Sequence, residues 1–238
     1  MSDSAALLLI WGAASIAFLH TVIGVDHYLP FIAIGKARRW TLRRTLGITA
    51  LCGLGHVTGS VLLGLVGVAL GVALQRLEFI ESLRGSFAAW GLIAFGLVYA
   101  AVSFVKTSRR ERHSHAHAHS DGTFHQHEHS HQSSHLHVHE AADGHGTTKW
   151  ALFIVFVFGP CEALIPMFMV PAYAHNWALV VGVAGVFSAV TIATMLGAVT
   201  LGVYGSAFLS LRAFEQHANT LAGLAIAASG IGIQVLGI

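Results

Sequence analysis

The sequence predicts an all-α polytopic membrane protein with six transmembrane helices arranged as two inverted three-helix repeats. Of the 238 residues, 55% are hydrophobic and only 10% are charged, whereas about a quarter of the residues in a soluble domain are charged. The apolar residues form runs of roughly 20 or more, the length that crosses a hydrocarbon core. The basic residues cluster in alternate loops between these runs, as expected when a chain crosses the membrane several times.

The apolar segments divide the chain into three parts. Residues 1–105 form a first three-helix repeat, residues 150–238 form a second, and residues 106–149 form a hydrophilic connection. Because no basic group precedes the first apolar run, we expect no cleaved secretory signal and a retained first helix. The six predicted spans are residues 5–34, 45–74, 86–105, 150–172, 178–209 and 220–236.

Lysine and arginine are concentrated between the first and second helices and between the third and fourth. The positive-inside rule therefore places these two loops in the cytoplasm and both termini outside, in a cytoplasmic membrane. Membrane topology alone explains basic residues beside apolar segments, so we expect no nucleic-acid partner. The first group is Lys36, Arg38, Arg39, Arg43 and Arg44, the second is Lys106, Arg109, Arg110, Arg112 and Lys149, and Arg76 and Arg84 fall between helices two and three.

The first helix contains ionisable side chains at membrane depth. His20, Asp26 and His27 offer two imidazoles and a carboxylate, a ligand set suited to nickel, cobalt, zinc, copper or iron. A charge in hydrocarbon costs ~3 kcal/mol or more unless it finds a partner, so such residues mark a functional site. On a regular helix His20 and His27 would lie ~10.5 Å apart along the axis. We therefore expect local unwinding near Gly24, ahead of Pro30, or ligands from another helix.

The second helix supplies another candidate ligand, His56, which lies between Gly55 and Gly59. Small residues four apart allow neighbouring helices to approach closely, so we expect His56 at a tight helix interface. Two roles are open at this point. His56 is either a metal ligand or gate, or a structural histidine bonded to a neighbouring carbonyl group.

The fourth helix contains Glu162, the second carboxylate at membrane depth. Asp26 and Glu162 are each followed four residues later by a proline and then by a large apolar residue. This shared pattern, with three helices in each half, predicts inverted repeats whose interrupted helices form a site at their interface. Glu162 is then a metal ligand or a proton-coupling acid from the second repeat.

The connection between the halves holds twelve of the 17 histidines, many of them alternating with other residues. Its low apolar content predicts disorder in the absence of a partner, and its histidines predict weak binding of several metal ions. A plain polar linker would have no need of histidine. The candidate ligands are His113, His115, His117, His119, His125, His127, His129, His131, His135, His137 and His139.

The run His-x-x-x-Gly-x-Asp-His from His20 to His27 resembles the His-Pro-x-x-Gly-x-Asp-His signature of the hydrogenase- and urease-associated nickel permeases, the HupE/UreJ family, with Thr21 in place of proline. The layout of two three-helix halves around a His-rich loop is similar to that of nickel/cobalt efflux proteins of the RcnA/NicO type. The resemblance to this nickel/cobalt transporter superfamily implies transport of Ni²⁺ or Co²⁺, with His20, Asp26 and His27 as signature residues and His56 as a second-helix counterpart. The permeases lack the long His-rich loop, and the efflux proteins differ in the order of acid and glycine, so the direction of transport stays open.

These features predict a secondary transporter for a divalent transition-metal cation, with no enzymatic activity and no resident cofactor. Nickel or cobalt is favoured, and zinc, copper and iron are further candidates. A metal must displace protons from its ligands, which gives a route to proton coupling, and the cytoplasmic loop favours efflux over uptake. Two other classes stay open. One is a membrane thiol-disulfide electron carrier using Cys52 and Cys161, which otherwise pack as small buried side chains, and the other is a membrane-anchored metal sensor or store.

Overall fold

Eight α-helices run through the part of the chain that the computed structural model describes, which is residues 2–110, 114–118, 124–128, 144–159, 161, 163–207 and 217–236. A 3₁₀ turn, Val25–His27, separates the first two helices, and strands β1 Ser114–Ala118 and β2 Phe124–Glu128 lie between the fourth and fifth. The helices are α1 Asp3–Ile23, α2 Leu29–Ala37, α3 Leu42–Ala69, α4 Leu74–Arg110, α5 Gly144–Phe158, α6 Leu164–Tyr173, α7 Trp177–Ala207 and α8 Ala218–Leu236.

Five of these helices, α1, α3, α4, α7 and α8, are long and apolar enough to cross a membrane. Large apolar side chains cover their outer surfaces: Leu8, Leu201 and Val235 are 74%, 76% and 75% exposed. Such surfaces would be unfavourable in water and are the expected face toward lipid tails. The described helices are therefore those of a multi-pass membrane protein.

The predicted first and fourth spans are each interrupted. The first divides into α1 and α2, and the fourth divides into α5 and α6 between Phe158 and Leu164. With 15 and 10 residues, neither α5 nor α6 alone reaches the ~20 needed to cross, so the described residues contain five full-length spans where the sequence predicts six. Pro30 and Pro166 lie in the first turns of α2 and α6, where a missing N–H removes no helical hydrogen bond.

The third predicted span is too short. Its helix, α4, begins at Leu74, so Arg76 and Arg84 lie in the helix and not in the predicted loop. The charged residues between Leu74 and Ser86 predict that the third span begins only after them. In the structure, Arg84 pairs with Glu81, three residues earlier on the same helix. Opposite charges so spaced support a helix, and the pair allows α4 to carry both residues into the bundle.

The two strands lie in the segment predicted to be disordered. They pair antiparallel, with His115 opposite His127 and His117 opposite His125. Alternation of histidine with other residues has the period of two that favours strands over helices. The strands β1 and β2 and the ends of α4 and α5 fall within residues 106–149, and the disorder predicted for this segment in the absence of a partner stays a prediction.

Two clusters of buried apolar side chains hold the described helices together. One joins α1, α6 and α7 around Phe168 and Phe187 and includes Cys161. The other joins α2, α3, α5, α7 and α8 around Phe31 and includes Cys52. Both cysteines are buried and free, and each packs as a small apolar side chain.

The helices α4 and α8 meet backbone to backbone through small residues. A Cβ atom at Gly96 would lie 2.5 Å from the nitrogen of Ala227 and 2.6 Å from the carbonyl oxygen of Gly223. Helices in lipid associate through close packing of this kind, because lipid tails remove the hydrophobic driving force between them. Glycine at these positions therefore sets the separation of α4 and α8.

We expect Gly96→Ala to destabilise the protein by about 1–3 kcal/mol, because the added methyl group would force α4 away from α8. Tryptophan fluorescence of the purified protein in detergent, followed during heating, measures the fall in Tm. Gly197→Ala is the matched control, since nothing lies within 4 Å of a Cβ atom at Gly197 and alanine favours a helix. Equal Tm values for the two variants would contradict the close packing.

Candidate metal centre

The interruption between α1 and α2 brings His20 and His27 together. Pro30 cannot donate a hydrogen bond to the carbonyl group of Asp26, and its ring would clash with that group, so a regular helix cannot continue through this point. The chain forms a single 3₁₀ turn after Gly24. The ring centroids of His20 and His27 consequently lie 4.9 Å apart, and the predicted unwinding near Gly24 is confirmed.

His56 of α3 completes a group of three imidazoles. Its ring centroid lies 5.1 Å from that of His27, and one ring nitrogen of each histidine lies within 4.8 Å of the other two. Two imidazole nitrogens bonded to one ion at ~2.1 Å can be at most ~4.2 Å apart. A side-chain movement of roughly 1 Å or less would therefore allow all three nitrogens to bind one ion.

Backbone carbonyl groups engage the Nδ1 atoms of two of these histidines. His27 Nδ1 lies 2.9 Å from the oxygen of Gly24, and His56 Nδ1 lies 3.3 Å from the oxygen of Phe156. A carbonyl oxygen only accepts, so each Nδ1 carries the hydrogen and each Nε2 keeps its lone pair. Carbonyl partners of this kind orient metal-binding histidines.

The Nε2 atoms of His20, His27 and His56 are buried and have no hydrogen-bond partner among the described residues. A buried polar atom without a partner costs about 1–3 kcal/mol, and here each of three neighbouring imidazoles carries one such atom. A metal ion accepts lone pairs from all three at once. The histidines thus form a candidate metal site whose ligand atoms are already oriented.

A cavity of about 200 Å³ lies beside the three histidines. Its walls include Gly85 and Leu92 of α4 and, at the end of α5, Phe156 and Gly159. Since a water molecule occupies about 30 Å³ in the liquid, the cavity has room for a metal ion that retains several water ligands. Both interrupted helices contribute to its lining.

Asp26 lines the same cavity and lies next to His27. Its Oδ1 atom is 3.3 Å from His27 Nδ1, and among the described residues the mutually close ligand atoms are the three histidine nitrogens alone. A carboxylate beside the N–H of a ligating histidine fixes the ring and raises its basicity. The structure gives Asp26 the place of an orienting partner, and direct ligation, as the sequence predicts, would require its side chain to turn into the cavity.

The second interruption also reaches the site. Glu162 lies outside the described residues, so its role as a ligand or proton carrier stays a prediction. Gly159 packs against the imidazole of His56, because a Cβ atom on this glycine would lie 2.9 Å from His56 Nδ1. The alternative role of His56, a histidine bonded to a carbonyl group, is thus observed at its Nδ1, while its Nε2 stays available.

The candidate ligands of the His-rich segment lie only partly within the described residues. Four of them occupy the paired strands: His115, His117, His125 and His127. The others lie outside the described residues: His113, His119, His129, His131, His135, His137 and His139. Metal binding by this segment stays a prediction.

Sequence reasoning missed a buried ion pair beside the cavity. Glu81 has no exposed surface and accepts a hydrogen bond from Arg84. Both residues precede the longest apolar part of α4. The positive charge of Arg84 at this place predicts a loop residue. The signal that could have revealed the pair is the i,i+3 spacing of opposite charges in a run that also contains Phe79, Ile80 and Leu83.

Comparisons of the chain with protein-family models, with curated proteins and with solved structures found no match. The kind of ion that the site would bind therefore has to be inferred from its own residues. Three neutral imidazoles suit a first-row divalent cation. With three protein ligands, the fourth position of a tetrahedral ion stays open to water.

We expect the purified full-length protein to bind one Co²⁺ ion tightly. Removing the hydrogen-bond partner of a ligand typically lowers metal affinity by ~10–100-fold. His56→Ala removes a ligand itself, so we expect a larger loss of affinity. Elemental analysis after equilibration at fixed free Co²⁺ gives the affinity. A second full-length background, with the twelve loop histidines replaced by glutamine, prevents weak loop sites from masking the tight one. His217→Ala is the control, since His217 lies beside Phe104 and outside the cluster. Unchanged affinity in His56→Ala would refute the assignment.

Proposed function

We propose that the protein is a secondary transporter that moves a divalent first-row transition-metal cation across the cytoplasmic membrane. The observation that carries this proposal is the meeting of three buried imidazoles, those of His20, His27 and His56, at an interruption in a bundle of apolar helices, each with an Nε2 atom that has no partner among the described residues. Interrupted helices around a central site are typical of secondary transporters. Imidazole suits nickel, cobalt, zinc, copper and iron, and the resemblance of the first motif to nickel permeases favours nickel or cobalt.

We also propose six spans in two inverted repeats, with α5 and α6 together forming the fourth. The helix packing supports this, because its main contacts keep the same pattern when the halves are exchanged. The α1–α2 pair packs against α7 and α8, and the α5–α6 pair packs against α3 and α4. The equivalent helices also meet, α3 with α7 and α4 with α8. A pseudo-two-fold axis would give this pattern, and with the three spans proposed for each half the axis would lie in the membrane plane.

The proposed orientation puts both termini outside and the His-rich segment in the cytoplasm. There the segment would collect metal ions and deliver them to the cavity, which favours efflux. Limiting uptake in response to cytoplasmic metal is the alternative role. Glu162, from the second interruption, is proposed as a further ligand or as the acid that couples proton movement to transport.

Two other functions compete with this proposal. A membrane-anchored sensor or store would act through the His-rich segment and would have no need of three buried histidines facing a cavity. A thiol-disulfide electron carrier needs two cysteines that can meet, whereas Cys52 and Cys161 belong to separate apolar clusters. The buried histidines therefore favour the transporter.

We expect Asp26→Asn and His27→Ala each to abolish metal flux, because one removes the partner that orients a ligand and the other removes the ligand. Replacement of residues 113–145 by a short linker should leave substantial flux. Cells expressing each variant are exposed in turn to nickel, cobalt, zinc, copper and iron, and their metal content is measured by elemental analysis.

Lower metal content with the wild type than with Asp26→Asn identifies an exporter of that ion, and higher content identifies an importer. His217→Ala, outside the cluster, should behave as the wild type. If no metal depends on either Asp26 or His27, the transporter is excluded and the sensor or store becomes the better proposal.

Metal affinity at the three histidines should fall as the pH falls. Each imidazole nitrogen binds either a proton or the metal, so protons compete with the ion. The affinity is compared between neutral pH and the lowest pH at which the protein stays folded, where proton competition is strongest. Co²⁺ titrations of the background with loop glutamines measure the affinity across this range. A constant affinity would exclude the histidines as ligands.

A further inference from the structure

The ion pair of buried Glu81 and partly buried Arg84 joins three helices next to the cavity. Arg84 Nη1 donates to Glu81 Oε1 within α4 and lies 3.4 Å from Ser60 Oγ of α3. Its Nη2 donates to the carbonyl oxygens of Val157 at 2.9 Å and Gly159 at 3.4 Å, at the end of α5. One guanidinium group therefore connects α3, α4 and α5.

The carbonyl groups that Arg84 binds lie at the second interruption, where α5 ends at Phe158. The last carbonyl groups of a helix carry the negative end of its dipole, and hydrocarbon provides no water to solvate them. A guanidinium has a planar fork of N–H donors that can serve several acceptors at once. Arg84 thus closes the end of α5 inside the bundle.

The same region holds His56 in place. Phe156, in the last turn of α5, accepts the hydrogen bond from His56 Nδ1, and Gly159 packs against the same ring. Ser60, which Arg84 also contacts, lies one turn after His56 on α3. The position of the end of α5 relative to α3 therefore determines where His56 Nε2 points.

We propose that Glu81 and Arg84 are a positioning pair for the metal site: they hold the end of α5 against α3 so that the imidazole of His56 stays beside those of His20 and His27. The proposal rests on the proposed function, since it takes the three histidines as metal ligands. Neither residue of the pair belongs to the group of mutually close ligand atoms. The pair acts through His56.

Stability alone does not account for two charges at this place. Burying Glu81 and most of Arg84 away from water is unfavourable, and apolar residues of similar volume are often at least as stabilising. Ionisable residues in membrane spans occur mainly where function requires them. The neighbouring helix also accommodates the guanidinium, because a Cβ atom at Gly59 would lie 2.9 Å from Arg84 Nη2.

The deciding variant is the double substitution Glu81→Gln/Arg84→Met, which removes both charges and leaves neither of them unpaired. Co²⁺ affinity and the visible absorption spectrum of bound Co²⁺ are measured on full-length protein, with the wild-type loop and with loop glutamines. We expect affinity to fall by about tenfold or more, as when a ligand loses its orienting partner, together with a changed spectrum. Arg84→Lys should fall in between, since an ammonium group lacks the planar fork.

Arg76→Met is the matched control, because Arg76 is an exposed arginine on the same helix; it should bind Co²⁺ as the wild type does. A double variant that keeps the wild-type affinity and spectrum would overturn the proposal. The proposal would also be overturned if Arg84→Met lost Co²⁺ affinity and the double variant regained it. The unpaired charge of Glu81 would then be the cause of the loss. If the double variant does not fold, Arg84→Lys, which keeps both charges, decides by the same two readings.

The two proposals fail in different ways. If Co²⁺ binding by the wild type does not depend on the three histidines, the proposed function fails and the positioning pair falls with it. If binding depends on the histidines but is unchanged in the double variant, only the positioning pair is wrong.

Discussion

Two interruptions in membrane helices leave backbone carbonyl groups that a continuous helix would have bonded, and the rest of the site depends on how the protein satisfies them. At the first, the oxygen of Gly24 faces His27 Nδ1; at the second, the oxygen of Phe156 faces His56 Nδ1. Arg84 binds the next carbonyl group, that of Val157. Because each histidine donates through Nδ1, its Nε2 is left for a metal. The interruptions and the ligand geometry are therefore one structural feature, and a continuous helix at either place would remove both.

The first half of the site is predictable because its residues conflict with their surroundings. Two histidines and an aspartate in an apolar run require a partner, and Gly24 and Pro30 predict the unwinding that brings His20 and His27 together. The approach of His56 to these two histidines cannot be predicted in the same way. Its contact with Phe156 joins residues 100 apart in the chain, and no local pattern contains such a pairing. The sequence predicts a tight interface around His56, but the neighbours that fill it follow from how the helices pack.

The helices are predictable where an apolar run is long. They are less predictable where charged residues lie within the run. The start of α4 is missed because each charge was counted separately, whereas in the folded chain Glu81 and Arg84 compensate each other and stay in the helix. The fourth span is predicted as one segment, and its division into α5 and α6 follows from a proline pattern that marks the place but not the length of the break. The strands β1 and β2 show the opposite case, since a composition poor in apolar residues predicts disorder while the alternation of histidines has the period of a strand.

A site that transports an ion has to release it as well as bind it. Structural metal sites surround the ion with four protein ligands, whereas three ligands leave a position that water can occupy. Here the three imidazoles stand at the edge of a cavity of about 200 Å³, so an ion held by them would keep water on one side. The imidazoles are neutral when they bind, and the nearby carboxylate of Asp26 faces His27 Nδ1. The protein ligands would therefore neutralise little of the ion's positive charge, and its remaining water ligands would have to solvate it. Since His27 belongs to the first interruption and His56 is oriented by the second, a movement of either break would separate the nitrogens and free the ion into the cavity.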